Sequence, residues 1–254
     1  QGFVGNAVYQ KLKKYYKVFT YDVQAKLCNS DLETVLERCK IIFVCLPTPM
    51  NKDGSCNTDS VEWVVKELSD YVSTEIIVIK STVPPGTTAR LNSLVKNIDI
   101  IFNPEFLTEA NAIEDFNNQD RIILGGPRPA TTELRRIYTK VFPKAHIIKT
   151  DSSHAEMVKY LTNSFLSTKV SFANEIYQIC QQLKIDYDKV VEYATLDSRL
   201  GKSHWQVPGP DGDYGFGGHC FPKDLNALLY LSDNLDTDNN VLTAAIETND
   251  KIRK

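Results

Sequence analysis

The chain has 254 residues, 42% hydrophobic and 24% charged, with a formal net charge of −3. That length suits one large or two ordinary domains and can bury a real core, and the composition is that of an ordinary globular protein. A mildly acidic balance without a basic run gives no reason to expect a nucleic-acid partner, and no apolar stretch reaches the ~20 residues of a membrane span.

Gln1-Gly2-Phe3-Val4-Gly5 opens the chain. It reads as the tail of a G-x-G-x-x-G fingerprint whose first glycine is missing. Gly2 would admit a pyrophosphate and Gly5 would let a helix pack closely on a strand. A helix is expected over 6–16, then a strand over Lys17–Tyr21 ending at Asp22. An acidic residue about 20 positions past such glycines binds a ribose 2′-hydroxyl and favours NAD over NADP. The alternative is an N-terminal loop with two chance glycines.

Strand-like and helix-like stretches then alternate. Ile41–Leu46 is a continuous apolar run suited to a strand buried on both faces, stopped by Pro47-Thr48-Pro49. A helix follows over 58–72, with Val61, Val64, Val65 and Leu68 on one face. Strands are expected over 75–80, 98–102, 121–124 and 146–148, and a helix runs through Leu94. Repeated βα units with short apolar strands imply a parallel sheet covered by helices on both faces. Ligands bind such sheets beyond the carboxyl ends of the strands. The polar loops 47–49, 81–88 and 103–109 each follow a strand and should line one rim, bringing Glu105 and Glu109 with them; ordinary surface carboxylates are the alternative for both.

From Ser153 the pattern changes. Residues 154–183 contain neither proline nor glycine and show helical periodicity, longer than most globular helices. Lys159 and Asn163 are four apart, hence on one face, where a lysine and an amide could donate together to a developing oxyanion; a solvated helix face is the alternative. A short helix is expected over 187–194 and further helices over 224–231 and 239–254. Before them lie the polar turn Asp197-Ser198-Arg199-Leu200-Gly201 and a glycine-rich loop ending in Gly217-Gly218-His219-Cys220-Phe221-Pro222-Lys223-Asp224. Glycines beside a cysteine suit a substrate resting on the main chain, although a lone cysteine is a candidate nucleophile only with convergent partners. The six cysteines, at 28, 39, 45, 56, 180 and 220, include no CxxC pair, so no metal site is expected. Reduced thiols and a cytoplasmic setting are expected instead.

Together these motifs resemble the UDP-glucose/GDP-mannose dehydrogenase family. The resemblance rests on Gly2–Gly5, Pro47–Pro49, Ser81–Pro84, Asn103–Glu109 and Asp120–Gly125. It continues through Ala155–Tyr160 with Asn163, Lys169–Glu175, Asp197–Gly201 and Gly217–Asp224, in family order over nearly the whole chain. It implies a Rossmann-like NAD-binding domain over 1–150, lacking its first strand, and an all-α central domain over 151–254 built on the long helix. It also implies a missing C-terminal domain that would hold the uridine, a shortened connection between Asp22 and Ile41 with Lys26 as a candidate adenosine clamp, and a chain truncated at both ends. The implied activity is a two-step, NAD-dependent oxidation of a nucleotide sugar, UDP-glucose foremost, with GDP-mannose, UDP-N-acetylmannosamine or a non-catalytic NAD-binding fragment as alternatives. By the same resemblance Cys220 is the nucleophile, and Lys159 and Asn163 steady the oxygen at C6. Asp224 and Thr82 organise water and proton transfers, and Glu109 is a base near the nicotinamide. Gly2, Gly5, Asp22, Thr48, Thr82, Glu109 and Lys223 would contact the cofactor. Glu105, Phe106, Leu107, Lys159, Asn163, Gly217 and Cys220 would line the substrate, and Arg199 would reach the substrate of a neighbouring subunit, implying a homodimer.

Overall fold

The computed structural model describes residues 1–71, 74–108 and 110–253. Glu109 and the expected helix ends Val72 and Lys254 lie outside the described residues. Two compact units divide the chain: Gln1–Pro49 with Asn57–Lys159, and Met50–Cys56 with Tyr160–Lys254.

The first unit runs α1 (Phe3–Leu12), α2 (Leu32–Arg38), β1 (Ile41–Val44), α3 (Asp59–Ser69), β2 (Ile76–Ile79), α4 (Thr87–Leu94), β3 (Asp99–Phe102), α5 (Ala112–Asn118), β4 (Arg121–Gly125), α6 (Arg128–Val141) and β5 (His146–Thr150). The five strands form one sheet in the order β1-β2-β3-β4-β5. β2 shows why the apolar runs were legible as strands. Ile76 and Val78 point into a core with Ala7, Val8 and Leu12 of α1 and Leu134 of α6. Ile77 and Ile79 point the other way, into a core with Val61 and Val65 of α3 and Leu91 of α4. Alternate side chains feed opposite faces, and each fully buried Ile or Val contributes roughly 1.5–3 kcal/mol relative to exposure.

Three differences from the sequence reading stand out. Lys17–Tyr21 is not a strand. A strand needs a ladder partner, and here Asn29 takes that place: the Thr20 N–H donates to Asn29 Oδ1 at 2.7 Å, and the Asn29 N–H donates to the Thr20 carbonyl at 3.2 Å. The sheet is mostly parallel, but β4 pairs antiparallel with β3 through Phe102 and Gly125. The two strands meet only at their last residues, so the parallel ladder of β1, β2 and β3 is not continued there. Finally, α5 and α6 are helices where no helix was expected; α6 begins with a proline in its first turn, a favourable start that is easily read as a loop.

The second unit is helical. α7 (Ser152–Leu183) spans 32 residues, starting in the first unit and continuing through the second. α8 (Tyr187–Ala194) is capped by Asp186, which accepts from the Lys189 N–H at 3.2 Å. α9 (Phe221–Asn234) and α10 (Asn240–Ile252) complete the unit. Ala173, Cys180, Tyr187 and Val207 form one core, and Phe216, Leu225 and Ala245 another. The Lys169 ammonium donates to the Leu200 carbonyl at 2.9 Å and the Gly201 carbonyl at 3.3 Å, fixing the polar turn that carries Arg199 to α7.

Candidate functional site

In the first unit β1, β2 and β3 run parallel and in register, so the loops leaving them open on one edge of the sheet. Thr48 is buried there and Thr82 half-buried. The Ser81 hydroxyl accepts from the Leu46 N–H at 2.8 Å, tying the first two loops together. The loop after β2 is also held from α7. The buried Glu156 carboxylate accepts from the Gly86 N–H at 2.6 Å and the Thr88 N–H at 2.8 Å, at the start of α4. Burial raises the Glu156 pKa against the opposing pull of those donors.

Beneath the third loop lies a buried polar cluster. Lys80 donates to Asn103 Oδ1 at 3.1 Å and to the Pro104 carbonyl at 3.3 Å. The Tyr138 hydroxyl donates to the same Asn103 oxygen at 2.7 Å. Burial lowers the Lys80 pKa to about 8 and raises that of Tyr138. Above this cluster Lys159 donates to the Glu105 carboxylate at 2.9 Å and to its main-chain carbonyl at 2.6 Å. Both side chains are almost fully buried. Burial alone would raise the Glu105 pKa, but the Lys159 charge and the Leu107 N–H, at 2.7 Å, hold it below the ordinary carboxylate value. The Phe106 ring lies 5.6 Å from Lys159 Nζ and 4.3 Å from the Arg121 guanidinium.

The N-terminal end of α1 fits a dinucleotide. Gly2 is its N-cap, and a Cβ added there would meet nothing within 4 Å. Main-chain N–H groups at a helix N-terminus bind phosphate, so this open approach suits a pyrophosphate. Gly5 is less demanding: a Cβ there would touch Cys45 at an ordinary 3.6 Å. Asp22 is half-buried and accepts from the Gln24 N–H at 2.8 Å. Lys26 is exposed on a single turn of 3-10 helix, Ala25–Leu27.

In the second unit Cys220 is half-buried and forms the N-cap of α9. Asp224, in the first turn of α9, is fully buried and accepts from Asn163 Nδ2 at 2.6 Å, while the Lys223 ammonium contacts its other oxygen. Asn163 and Lys223 therefore meet on the carboxylate one helical turn past the cysteine. Lys159 and Asn163, paired in the sequence reading as joint donors, each have their own acceptor, Glu105 and Asp224 respectively. Arg199 is exposed and forks onto Asp197, with Nε to Oδ1 at 3.0 Å and a second nitrogen to Oδ2 at 2.5 Å. By contrast, burial pushes the Cys45 thiol up to about 11, which leaves it protonated and inert at neutral pH. All six cysteines are thiols. Among the described residues no group of His, Cys, Asp or Glu is arranged to hold a metal ion.

Residues 9–142 match the UDP-glucose/GDP-mannose dehydrogenase family, NAD binding domain, and residues 153–251 match the central domain of the same family. The chain belongs to this family. NAD is thus the cofactor to which its first unit is fitted. UDP-glucose 6-dehydrogenase TuaD of Bacillus subtilis is 35% identical over 233 residues, covering 89% of this chain and 49% of that protein. The UDP-glucose 6-dehydrogenase of Rickettsia felis is 34% identical over 246 residues, 94% of this chain and 54% of that protein. Among solved structures, a UDP-glucose dehydrogenase from Pyrobaculum islandicum superposes with a TM-score of 0.79 at 28% identity, over 97% of this chain and 61% of that one. The chain spans about half the length of the curated relatives it matches.

Sequence reasoning assigned no role to Lys80, Tyr138, Glu156, Asn174 or Asn249, all of which hold site loops in place. Their partners are distant in sequence, so no local spacing marks them. Only the lysine itself, closing an otherwise apolar strand, gave a signal for Lys80.

Proposed function

We propose that the protein carrying this chain oxidises UDP-glucose to UDP-glucuronate, with Cys220 as the covalent catalyst. The observation that carries the reading is Cys220 at the N-terminus of α9, one turn before the buried Asp224 that Asn163 and Lys223 contact. Residues 1–150 act as the NAD-binding domain and 151–254 as the central catalytic and dimerising domain. NAD, when bound, accepts a hydride from C6 in each of the two oxidations. Gly2 and Gly5 lie at its pyrophosphate, Asp22 at its ribose and Glu109 near its nicotinamide, with Thr48, Thr82 and Lys223 as further cofactor contacts.

The alcohol loses its proton and a hydride to become an aldehyde. The Cys220 thiolate then adds to that aldehyde, forming a C–S bond and a thiohemiacetal whose oxygen Lys159 and Asn163 steady. Loss of the second hydride leaves a thioester. Water, oriented by Asp224 and Thr82 with Glu109 as base, cleaves the C–S bond, releasing the acid and restoring the thiol. A cysteine suits this sequence because its thiolate is strongly nucleophilic and its thioester is readily hydrolysed. Glu105, Phe106, Leu107 and Gly217 line the sugar. A homodimer lets Arg199 reach a neighbouring substrate, and the exposed row Leu161, Phe165, Phe172 and Ile179 on α7 supports it. The cytoplasmic setting is proposed on the spacing of the cysteines; among the described residues no helix is long and apolar enough to cross a membrane.

The test is NADH yield from the full gene product given NAD with UDP-glucose, GDP-mannose or UDP-N-acetylmannosamine in turn. Two NADH per UDP-glucose, and far slower turnover of the others, is expected. Preference for another sugar would reassign the substrate, and NAD binding without turnover of any of them would contradict the reading.

A further inference from the structure

The loop leading into Cys220 does not hold its own shape. Its main chain turns at Gly215, with φ +71°, and the N–H groups of Gly215 and Phe216 are buried with no strand or helix to receive them. Two asparagines from different helices supply the acceptors. Asn249 Oδ1 of α10 takes the Phe216 N–H at 2.7 Å, and Asn174 Oδ1 of α7 takes the Gly215 N–H at 3.2 Å. Both asparagines are themselves buried. The orientation of Asn174 is set by its own amide, which donates to the Val170 carbonyl at 2.9 Å, so its oxygen has to face the loop.

The glycines fit this arrangement. A Cβ on Gly215 would sit 2.4 Å from Asn249 Oδ1, and one on Gly217 would sit 2.2 Å from the Arg253 guanidinium. Arg253 in turn donates to the Tyr214 carbonyl at 3.3 Å and to Asp211 at 2.7 Å. Gly215 is thus small where the anchoring amide of Asn249 meets it; at Gly217 the neighbour is the far end of the flexible Arg253 side chain, and at Gly218 a Cβ would meet nothing within 4 Å. Phe216 completes the anchor, packing with Leu225 and Ala245 and lying edge-on to Phe221, 6.3 Å between centroids.

We propose that Asn249 is a positioning residue for the nucleophile: its side-chain oxygen, with that of Asn174, fixes the 215–218 main chain and so sets the angle at which Cys220 leaves the loop. The inference rests on the reading of Cys220 as nucleophile. What Asn249 supplies is an acceptor oxygen at one place, so the effect should follow the acceptor and not the residue's bulk. Displacing a reacting group by about 1 Å can cost a hundredfold in rate; a loop freed at one of its two amide anchors should lose roughly tenfold.

The test uses the full gene product and two readouts: the rate of Cys220 alkylation by iodoacetamide, followed by peptide mass spectrometry, and the kcat and KM for UDP-glucose oxidation. Asn249→Ala is expected to slow alkylation and kcat by roughly tenfold while NAD affinity stays within twofold. Asn249→Asp, which keeps an acceptor oxygen, should stay within about threefold of the parent on both. Wild-type alkylation and kcat in Asn249→Ala, or equal losses in the Ala and Asp variants, would overturn the proposal. If Asn249→Ala fails to fold, Asn249→Gln, which moves the oxygen by one methylene, takes its place with the same expected loss and the same overturning result. Cys220→Ser run alongside separates the two claims. Acid formation by Cys220→Ser sinks the nucleophile assignment whatever Asn249 does, whereas loss of acid there with normal rates in Asn249→Ala sinks only the positioning role.

Discussion

Glu156→Ala should loosen the first unit at the loop that carries Thr82. In the native chain the Glu156 carboxylate receives two main-chain donors, the half-buried Gly86 at 2.6 Å and the buried Thr88 at 2.8 Å. A hydrogen bond to a charged group contributes about 1.5–3 kcal/mol, and an orphaned buried donor costs a similar amount. Two such losses amount to about 3–6 kcal/mol, offset in part because a buried carboxylate no longer has to be desolvated. With a net loss of about 3 kcal/mol and a urea dependence of about 3 kcal/mol/M, the midpoint should fall by about 1 M. Urea titration by circular dichroism reads the midpoint, and amide exchange of the segment 81–92 reads the place, where protection should drop most. Glu156→Gln keeps one acceptor oxygen and should lose about half as much. The pH dependence has a definite sign. The folded pKa of Glu156 is raised, chiefly by burial, so the folded state holds the proton more tightly than the unfolded one. The resulting stability is complete below the ordinary glutamate pKa of about 4.3 and is lost as pH rises through the folded value. The advantage of the native residue over Gln should therefore shrink on going from pH 4 toward neutrality. A midpoint within about 0.2 M of the parent in Glu156→Ala, with unchanged exchange at 81–92, would refute the clamp.

Asn163→Leu removes the amide that contacts Asp224 and leaves a buried carboxylate oxygen short of a donor. A stability loss of about 1–3 kcal/mol is expected, together with a kcat drop of at least tenfold by the NADH assay; normal kcat would remove Asn163 from the machinery. Tyr138→Phe deletes one donor to Asn103 and should cost about 1 kcal/mol by urea titration, with little effect on KM. Lys80 has a folded pKa lowered to about 8 by burial, so the unfolded chain binds its proton more tightly. The stability of the native chain relative to Lys80→Met should therefore rise between pH 8 and about 10.4, at no more than ~1.4 kcal/mol per pH unit. A flat difference across that range would mean that Lys80 stays charged or neutral throughout.

The strands and helices that position the site were largely legible, for physical reasons. Ile76–Ile79 is buried on both faces, and the edge strand Ile41–Val44, although mostly half-buried and not buried on both faces as expected, sends side chains to both cores, so both read as unbroken apolar runs. The long α7 lacks breakers and was expected to start at 154, two residues from its observed start. Lys17–Tyr21 read as a strand because extended propensity is local, whereas strand pairing is not; the chain met Asn29 instead of a ladder. The antiparallel step between β3 and β4 rests on one pair of residues, Phe102 and Gly125, 23 apart in the chain, and no short residue pattern encodes it. In the site, the glycines and the cysteine announced themselves by type and spacing. The groups that hold them did not. Glu105 is 54 residues from Lys159, Asn163 is 61 from Asp224 and Asn249 is 33 from Phe216, and pairs so separated leave no mark on any short window.

The central claim is that Cys220 becomes covalently bound to the sugar during the second oxidation. Its most direct test is the product of UDP-glucose oxidation by Cys220→Ser in the full gene product, with NADH counted per sugar consumed and the product resolved by mass spectrometry. The account predicts two NADH and UDP-glucuronate from the parent, and no acid and no more than one NADH per sugar from the serine variant. Acid formed by Cys220→Ser at the parent rate, with two NADH per sugar, would contradict it.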